Sequence, residues 1–448
     1  MRIGMDFGTT NSGVAVYDGD QVRVLDLDPV AKSSTMRSVI YLTRDHELHV
    51  GQEAIELYNS QNINRERRMV RKRVGRVEML FAEIGTVATD VHVMVDELEP
   101  GRLLRSLKSA LATSYTGTAI FERRYTLEEL IALYLRAMRE RVSELLGQEV
   151  TEVVLGRPVH FVSAEEDADD EQAEGRLRKA ATLAGFSSVD FEFEPIAAAK
   201  HYAQSVQRPQ NILVYDFGGG TLDLTVMRVT PGQSAEAADI RAIGGVGIAG
   251  DRFDQRIVER TLLRHFGSDV TWGDKSLPVP QHLIEQITAW EGLASLATTE
   301  TRSFIQKMQA ACSVPARLYA LESLIFNFYG FALFETVEGV KRQLSDSPFE
   351  AIQFSGTDID IWQMITRSQF EAMIRAEWRA IRDAVLDVTR RSGFAPEEID
   401  AVVRTGGSSS IPVFLDLLGE TFGPEKLVTE DLFTGVTAGL GISAWERG

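Results

Sequence analysis

Cysteine is almost missing from this chain. Cys312 is the only one in 448 residues. That excludes an internal disulfide framework and a cysteine-based metal centre, and it fits a reducing cytoplasm. Positive charge is scarce as well. The 47 Lys and Arg face 65 Asp and Glu, a formal net charge of −18. Such a balance argues against a nucleic-acid partner and against attraction to anionic membranes. Long apolar runs are absent. The most apolar stretch, "LIFNFYGFALF" at 324–334, carries Asn327 and falls far short of the ~20 residues that cross a bilayer. It reads as the buried face of a helix. No apolar leader precedes "IGMDFG", so no targeting segment is expected. A Gly-x-x-x-x-Gly-Lys-Ser/Thr loop is missing too, which excludes a P-loop enzyme. One basic run, from Arg65 through Arg76, opposes the acidic trend. It reads as a solvated helix face or loop, with a polyanion site as the alternative.

What is present is a motif that occurs twice. "YDFGGGTLDLTV", residues 215–226, is a strand, three glycines and a second strand. A plain hairpin needs only two turn residues, and Gly218, Gly219 and Gly220 cost extra backbone entropy. Something must approach that backbone closely. The N-terminus repeats the device: "IGMDFGTTNSGVAV" gives a strand ending at Asp6, a Gly-Thr-Thr turn and a strand over 12–18. A third strand is expected near 21–27 in the first copy and near 237–243 in the second. Two copies, each opening a half of the chain, suggest a duplicated domain. Amides in a glycine turn can converge on one anion, and the hydroxyls of Thr9, Thr10 and Thr221 add donors. Asp6 and Asp216 would repel a bare phosphate, so a cation belongs between them and it. Mg²⁺ suits, since it keeps waters and needs few carboxylates. Two such hairpins face to face would clamp a polyphosphate with its metal between two domains. Taken alone, an Asp-x-Gly is more often just a turn.

The rest has an α/β rhythm. A helix is expected over 126–146, with Thr126 and Glu129 as a capping box. A strand ends near Arg157, a helix closes at Gly185, and another begins at Glu194-Pro195. The second half offers a helix after Gly250, one or two long helices over 323–345, and one stopped at Gly393. Gly406-Gly407 follows the strand "AVVRT" and precedes a helix, with Ser408 as N-cap. That glycine pair reads either as tight packing or as a place where a flat base lies against the backbone.

In order along the chain, "GMDFGTTNSGVAV", "VYDFGGGTLDLTV", "FEPIAAA", "VEGVKRQLS" and "RTGGSSSIP…GVTAGLG" resemble the nucleotide-binding domain of DnaK-type heat-shock chaperones, members of the actin-like ATPase superfamily. The closer likeness is to the YegD-like branch, which lacks the chaperone's peptide-binding half. The resemblance implies duplicated ribonuclease H-like α/β domains, two lobes around a nucleotide cleft. Lobe I would span 1–205 with 40–110 as a peripheral subdomain. Lobe II would span 206–433 with 265–335 as its own. A C-terminal helix in 434–448 would return to lobe I. The resemblance further implies ATP or ADP with Mg²⁺, K⁺ as a candidate companion ion, slow hydrolysis, and a protein partner that reads the nucleotide state.

Carried over residue by residue, Gly8, Thr9, Thr10 and Asn11 would form the first phosphate loop with Asp6. Gly218, Gly219, Gly220 and Thr221 would form the second with Asp216. Asp6, Glu194, Asp216 and Asp223 would hold Mg²⁺, mostly through water, and Glu194 would help orient the attacking water. Gly250 would lie near the nucleotide. Glu338, Lys341, Arg342 and Ser345, at i, i+3, i+4 and i+7, share one helix face and would contact ribose and adenine; without the resemblance they read as a solvated charged face. Gly406, Gly407 and Ser408 would complete the base pocket. The family's catalytic lysine has two candidates. Lys108 in "LLRSLKSALATS" matches the YegD-like spacing and is preferred; Lys72 in "VRKRVGR" mimics the chaperone's local sequence. Two departures stand out. Ser410 replaces a family arginine that stacks on adenine opposite the position of Arg342, a loss of ~0.5–2 kcal/mol. Ala249 replaces a common glycine. Competing readings are a sugar-type kinase of the same superfamily and a non-catalytic nucleotide-binding scaffold. The chain stops soon after the last motif, so no peptide-binding half is expected.

Overall fold

A computed structural model describes the chain except for residues 82–84, 163, 165–166, 234, 237–238 and 429–433. Two mixed sheets form its centre, and they are built alike. In the first, strands Ser188–Phe193, Glu152–Arg157, Arg2–Phe7, Asn11–Tyr17 and Val22–Val24 lie side by side in that order, with Thr35–Arg37 added along Asn11–Tyr17. In the second the order is Ile240–Val246, Leu222–Val229, Gln210–Phe217, Ala401–Thr405 and Leu427–Val428. In each sheet an antiparallel hairpin meets two further strands that run parallel to its first member. The repeated strand order confirms the duplication that the twin motifs suggest.

Burial explains why these strands read as almost continuous apolar runs: both faces of each sheet are covered. Ile3, Met5 and Val14 pack against Leu130, Ile131 and Leu135 of helix Leu127–Leu146. Leu213, Tyr215 and Phe217 pack against Phe253 and Phe414, whose rings stack at 5.7 Å. On the opposite faces, Val154 of the first sheet and Val214 and Val403 of the second share one core with Ile196, Val436 and Leu440. That shared core joins the two sheets through helices Glu194–Ala203 and Gly435–Glu446. Helix Gly435–Glu446 also lies on strands Arg2–Phe7 and Asn11–Tyr17.

Local signals behave as the sequence predicts at several ends. Thr126 and Glu129 form the reciprocal capping box, and Pro195 sits in the first turn of its helix. Gly185 and Gly393 take positive φ, 99° and 81°, just past their helices. The 324–334 stretch is not one helix. Pro315–Phe326 ends, Phe328 turns at φ 59°, and Gly330–Asp346 begins. Among the described residues, no helix is long and apolar enough to cross a membrane.

The basic run is a correction. Residues from Met69 onward are neither helix face nor loop: strand Met69–Phe81 pairs with Gly85–Asp96 in a long hairpin. The arginines just before it serve the hairpin's base, where Arg65 and Arg67 both pair with the buried Asp96.

Helix Gly435–Glu446 packs so closely that it tolerates no side chain at one point. A Cβ on Gly439 would stand 1.7 Å from the Ala197 carbonyl oxygen. Gly439→Ala is expected to cost about 1–3 kcal/mol, the usual penalty of overpacking. It should lower the urea midpoint at unchanged slope. A wild-type midpoint would contradict this packing.

Candidate nucleotide cleft

Strands Arg2–Phe7 and Gln210–Phe217 end on the same side of the molecule, and each turns through its glycine loop into the next strand. The two turns touch. A Cβ on Gly219 would meet the Thr10 hydroxyl oxygen at 2.2 Å, whereas one on Gly218 would meet nothing. The middle glycine is thus required by the opposite turn, and the first leaves open space. The carbonyl side of both turns is anchored to protein. Ser38 donates through Oγ to the Gly8 oxygen (2.7 Å) and through its amide to Thr10 (2.8 Å). Ser408 Oγ donates to the Gly218 oxygen (2.7 Å), and the Asp251 amide, at the start of helix Gly250–Ile257, donates to Gly219 (2.8 Å).

Between the turns lies a cleft of about 530 Å³. All but one of the candidate residues named from the sequence line it: Asp6, Gly8 to Asn11, Lys108, Glu194, Asp216, Gly218 to Thr221, Asp223, Gly250, Glu338, Lys341, Arg342, Ser345 and Gly406 to Ser408. Lys72 does not. It sits on the long hairpin, 54% exposed, and pairs with Glu122 at 3.0 Å.

The floor of the cleft is a buried cluster of charge. Lys108, on a short 3-10 turn, donates to Glu194 Oε1 at 2.6 Å. Asp216 stands opposite Asp223 in one strand pair and Thr405 in the next. Burial, then the charge of Glu194, raises the Asp6 pKa to about 7 and that of Asp216 to about 6. Burial, then Asp216, raises Asp223 to about 7. Burial works against the Lys108 ammonium, but Glu194 and Asp6 outweigh it and hold its pKa up. One ammonium thus faces four carboxylates. Among the described residues no group of three or more His, Cys, Asp or Glu is disposed to hold a metal ion. Buried acids undercompensated in charge fit a cation that keeps its own waters.

The far end is built from helix Gly330–Asp346. Its charged face is solvated only in part: Arg342 is exposed, whereas Glu338 and Lys341 are drawn into contacts. Lys341 is buried and donates to the Gly250 oxygen (2.9 Å) and to Asp254 (2.7 Å). Arg37 clamps both oxygens of Glu338 (2.8 and 2.9 Å) and also reaches Glu335 (2.7 Å). Burial opposes the Glu338 charge, yet Arg37 drives its pKa to about 2. Arg37 pairs in register with Asn11 of the first glycine loop, so this ion pair crosses the cleft. Nothing in the motifs pointed to Arg37; only the tertiary fold brings it there. Ser408 is a second correction. It is not a helix N-cap, because helix Pro412–Phe422 starts four residues later and Ser408 lies in the 3-10 turn Gly407–Ser410. Gly406 holds φ 76° there, and a Cβ would strike the Phe217 oxygen at 2.4 Å, so Gly406 itself is needed for packing. Ser410 bonds back to the Gly407 oxygen at 2.8 Å.

Twin five-strand arrangements with facing glycine hairpins and a carboxylate floor define the actin-like ATPase fold. More narrowly, the chain belongs to the Hsp70 protein family, whose family model matches residues 2–276 and 331–443. It is 24% identical over 442 residues to the chaperone protein DnaK of Thermotoga neapolitana, covering 98% of this chain and 58% of that one. The DnaK of Thermotoga maritima gives the same identity and coverage. The chaperone protein dnaK3 of Thermosynechococcus vestitus is 26% identical over 443 residues, covering 98% of this chain and 54% of that one. The chain therefore spans little more than half the length of these relatives.

The carboxylate floor has a consequence for stability. Asp6, Asp216 and Asp223 titrate higher in the fold than the ordinary ~3.9 of a free aspartate. The folded state then holds more protons than the unfolded state between about pH 4 and pH 7, so their contribution weakens as pH rises through that window and levels off above it. Each pKa unit is worth about 1.4 kcal/mol. In chelator, the wild type is expected to lose melting temperature from pH 5 to pH 7.5, and Asp6→Asn to flatten the slope. Equal slopes for the two proteins would contradict the burial of this charge.

Proposed function

We propose that this chain binds ATP in the cleft with Mg²⁺ and hydrolyses it slowly, and that a protein partner reads whether the two sheets and their helices are closed on the nucleotide. The observation that carries the reading is the meeting of Asp6, Glu194, Asp216, Asp223 and Lys108 between two glycine turns. Family membership supports nucleotide binding of the chaperone type. Asp6, Asp216, Asp223 and Glu194 would hold Mg²⁺ through its waters, and the ion when bound supplies neutralisation of phosphate charge. The turn amides of Thr9, Thr10, Gly219 and Gly220 would hold phosphate oxygens. Lys108 would stabilise charge at the γ-phosphate, and Glu194 would orient water. Catalysis of this kind is positioning and electrostatics. Arg342 would lie against adenine, with Gly406 and Gly407 giving the base a bare wall; Ser410 provides no second guanidinium. A cytoplasmic setting fits the lone, half-buried Cys312.

Binding calorimetry with and without Mg²⁺, followed by phosphate release, tests this reading. Asp216→Asn is expected to lose the Mg²⁺-dependent part of ATP affinity. Lys108→Ala should slow hydrolysis on the order of a hundredfold, the scale of one lost electrostatic contact, while ADP affinity barely moves. Wild-type behaviour of both variants would remove the assignment. A sugar panel that accelerates turnover would favour a kinase instead.

Arg37 offers a separate check. Its clamp on Glu335 and Glu338 ties the two sides of the cleft together. Arg37→Ala should leave two carboxylates unpaired and favour the open form. We expect ADP release, followed with a fluorescent analogue, to quicken by about tenfold, equivalent to roughly 1.4 kcal/mol. An unchanged release rate would show that the pair does not restrain the cleft.

A further inference from the structure

We propose that His160 accepts the proton of the attacking water during ATP hydrolysis, with Asp170 holding its ring in place. The proposal rests on the ATPase reading above and adds a residue that none of the nucleotide motifs contains. His160 lines the same cleft as Lys108 and Glu194. Its Nδ1 lies 2.7 Å from Asp170 Oδ2, and the other oxygen of that carboxylate accepts the Phe161 amide at 2.7 Å. Asp170 is buried, whereas the His160 side chain is 59% exposed. A carboxylate on Nδ1 selects the tautomer with its proton there, which leaves the Nε2 lone pair available. This is the base-and-orienter arrangement that marks proton-transfer sites.

Topology puts the pair at the carboxylate end of the cleft. Strand Glu152–Arg157 runs parallel between Arg2–Phe7 and Ser188–Phe193. Leu155 pairs with Met5, one residue before Asp6, and Arg157 pairs with Phe193, one residue before Glu194. The chain leaving that strand at Pro158 therefore emerges beside both acids, and His160 follows two residues later. Glu194 is the obvious rival as base, but its Oε1 is 2.6 Å from the Lys108 ammonium. That oxygen is already taken up as the acceptor of the Lys108 hydrogen bond.

The step balances as follows. The water oxygen forms a bond to the γ-phosphorus as the bond from that phosphorus to the bridging oxygen breaks. ADP departs with the electron pair. One water proton passes to His160 Nε2, and the resulting imidazolium is offset by Asp170. The exposed ring then returns the proton to solvent.

The test uses single-turnover phosphate release and, separately, ATP affinity by calorimetry. His160→Ala is expected to hydrolyse about a hundredfold more slowly, the lower end of what a positioned base supplies, and to bind ATP within about twofold of wild type. Because the site is open, imidazole added to the buffer should restore part of the rate in His160→Ala and leave wild type unchanged. Asp170→Asn should also slow hydrolysis, without rescue, since its own ring still fills the site. A wild-type rate in His160→Ala, or a slow variant that imidazole does not rescue, would overturn the proposal alone. A wild-type protein that binds ATP and releases no phosphate would overturn the hydrolytic reading and this proposal together.

Discussion

Four carboxylates held out of water against a single ammonium are the constraint around which this protein is arranged. Burial, together with repulsion between neighbouring carboxylates, lifts Asp6, Asp216 and Asp223 toward neutrality, and the Lys108 ammonium offsets them from the protein side. A fold that keeps such a cluster carries a standing electrostatic cost. The cost has a purpose if cation and phosphate chain complete the site together. The acids lie near strand ends or begin a helix, so the sheets fix their positions and leave their charge little freedom to move apart. Glu194 shows this best: it opens helix Glu194–Ala203, which belongs to the core shared by both sheets.

Duplication supplies the geometry. Each sheet ends in an aspartate and a glycine turn, and the shared core sets the two turns face to face. The halves are anchored differently: Ser38 secures the first turn, and Ser408 with the start of helix Gly250–Ile257 secures the second. The second turn is thereby tied to the far end of the cleft, built from helix Gly330–Asp346. Gly250 accepts the Lys341 ammonium and Lys341 rides on helix Gly330–Asp346. Arg37 then returns the connection to the first glycine loop. A closed ring of contacts thus runs around the cleft, so opening it must break the Arg37 pair or strain the chain elsewhere.

Much of this was legible in the sequence, for a physical reason. Phosphate-facing turns need bare backbone, and glycines beside a strand-ending aspartate are a local pattern. The capping box at Thr126 and the proline of Glu194-Pro195 are local as well. What stayed hidden depends on distant partners. Lys341 looked like part of a solvated face because its acceptors, Gly250 and Asp254, lie about ninety residues away in sequence. Arg37 had no visible partner for the same reason. The basic run disguised a hairpin because its cross-strand neighbours, not its own composition, make it a strand. Ser408 was misread because a glycine pair before a helix imitates an N-cap, while a 3-10 turn intervenes. The family model skips residues 277–330, the region of short helices between Gln281 and Phe326, and no nucleotide motif falls there.

The central claim is that the carboxylate floor exists to receive a hydrated divalent cation carrying nucleotide phosphates. A crystal structure with ADP and Mn²⁺ in place of Mg²⁺ addresses it directly, because the ion can be located by its anomalous scattering. The account predicts one strong peak in the cleft between Asp6 and Asp216, with the phosphates against the two glycine turns and the base toward Arg342. A nucleotide bound there with no ion near the four acids, or an ion held only elsewhere on the surface, would contradict it.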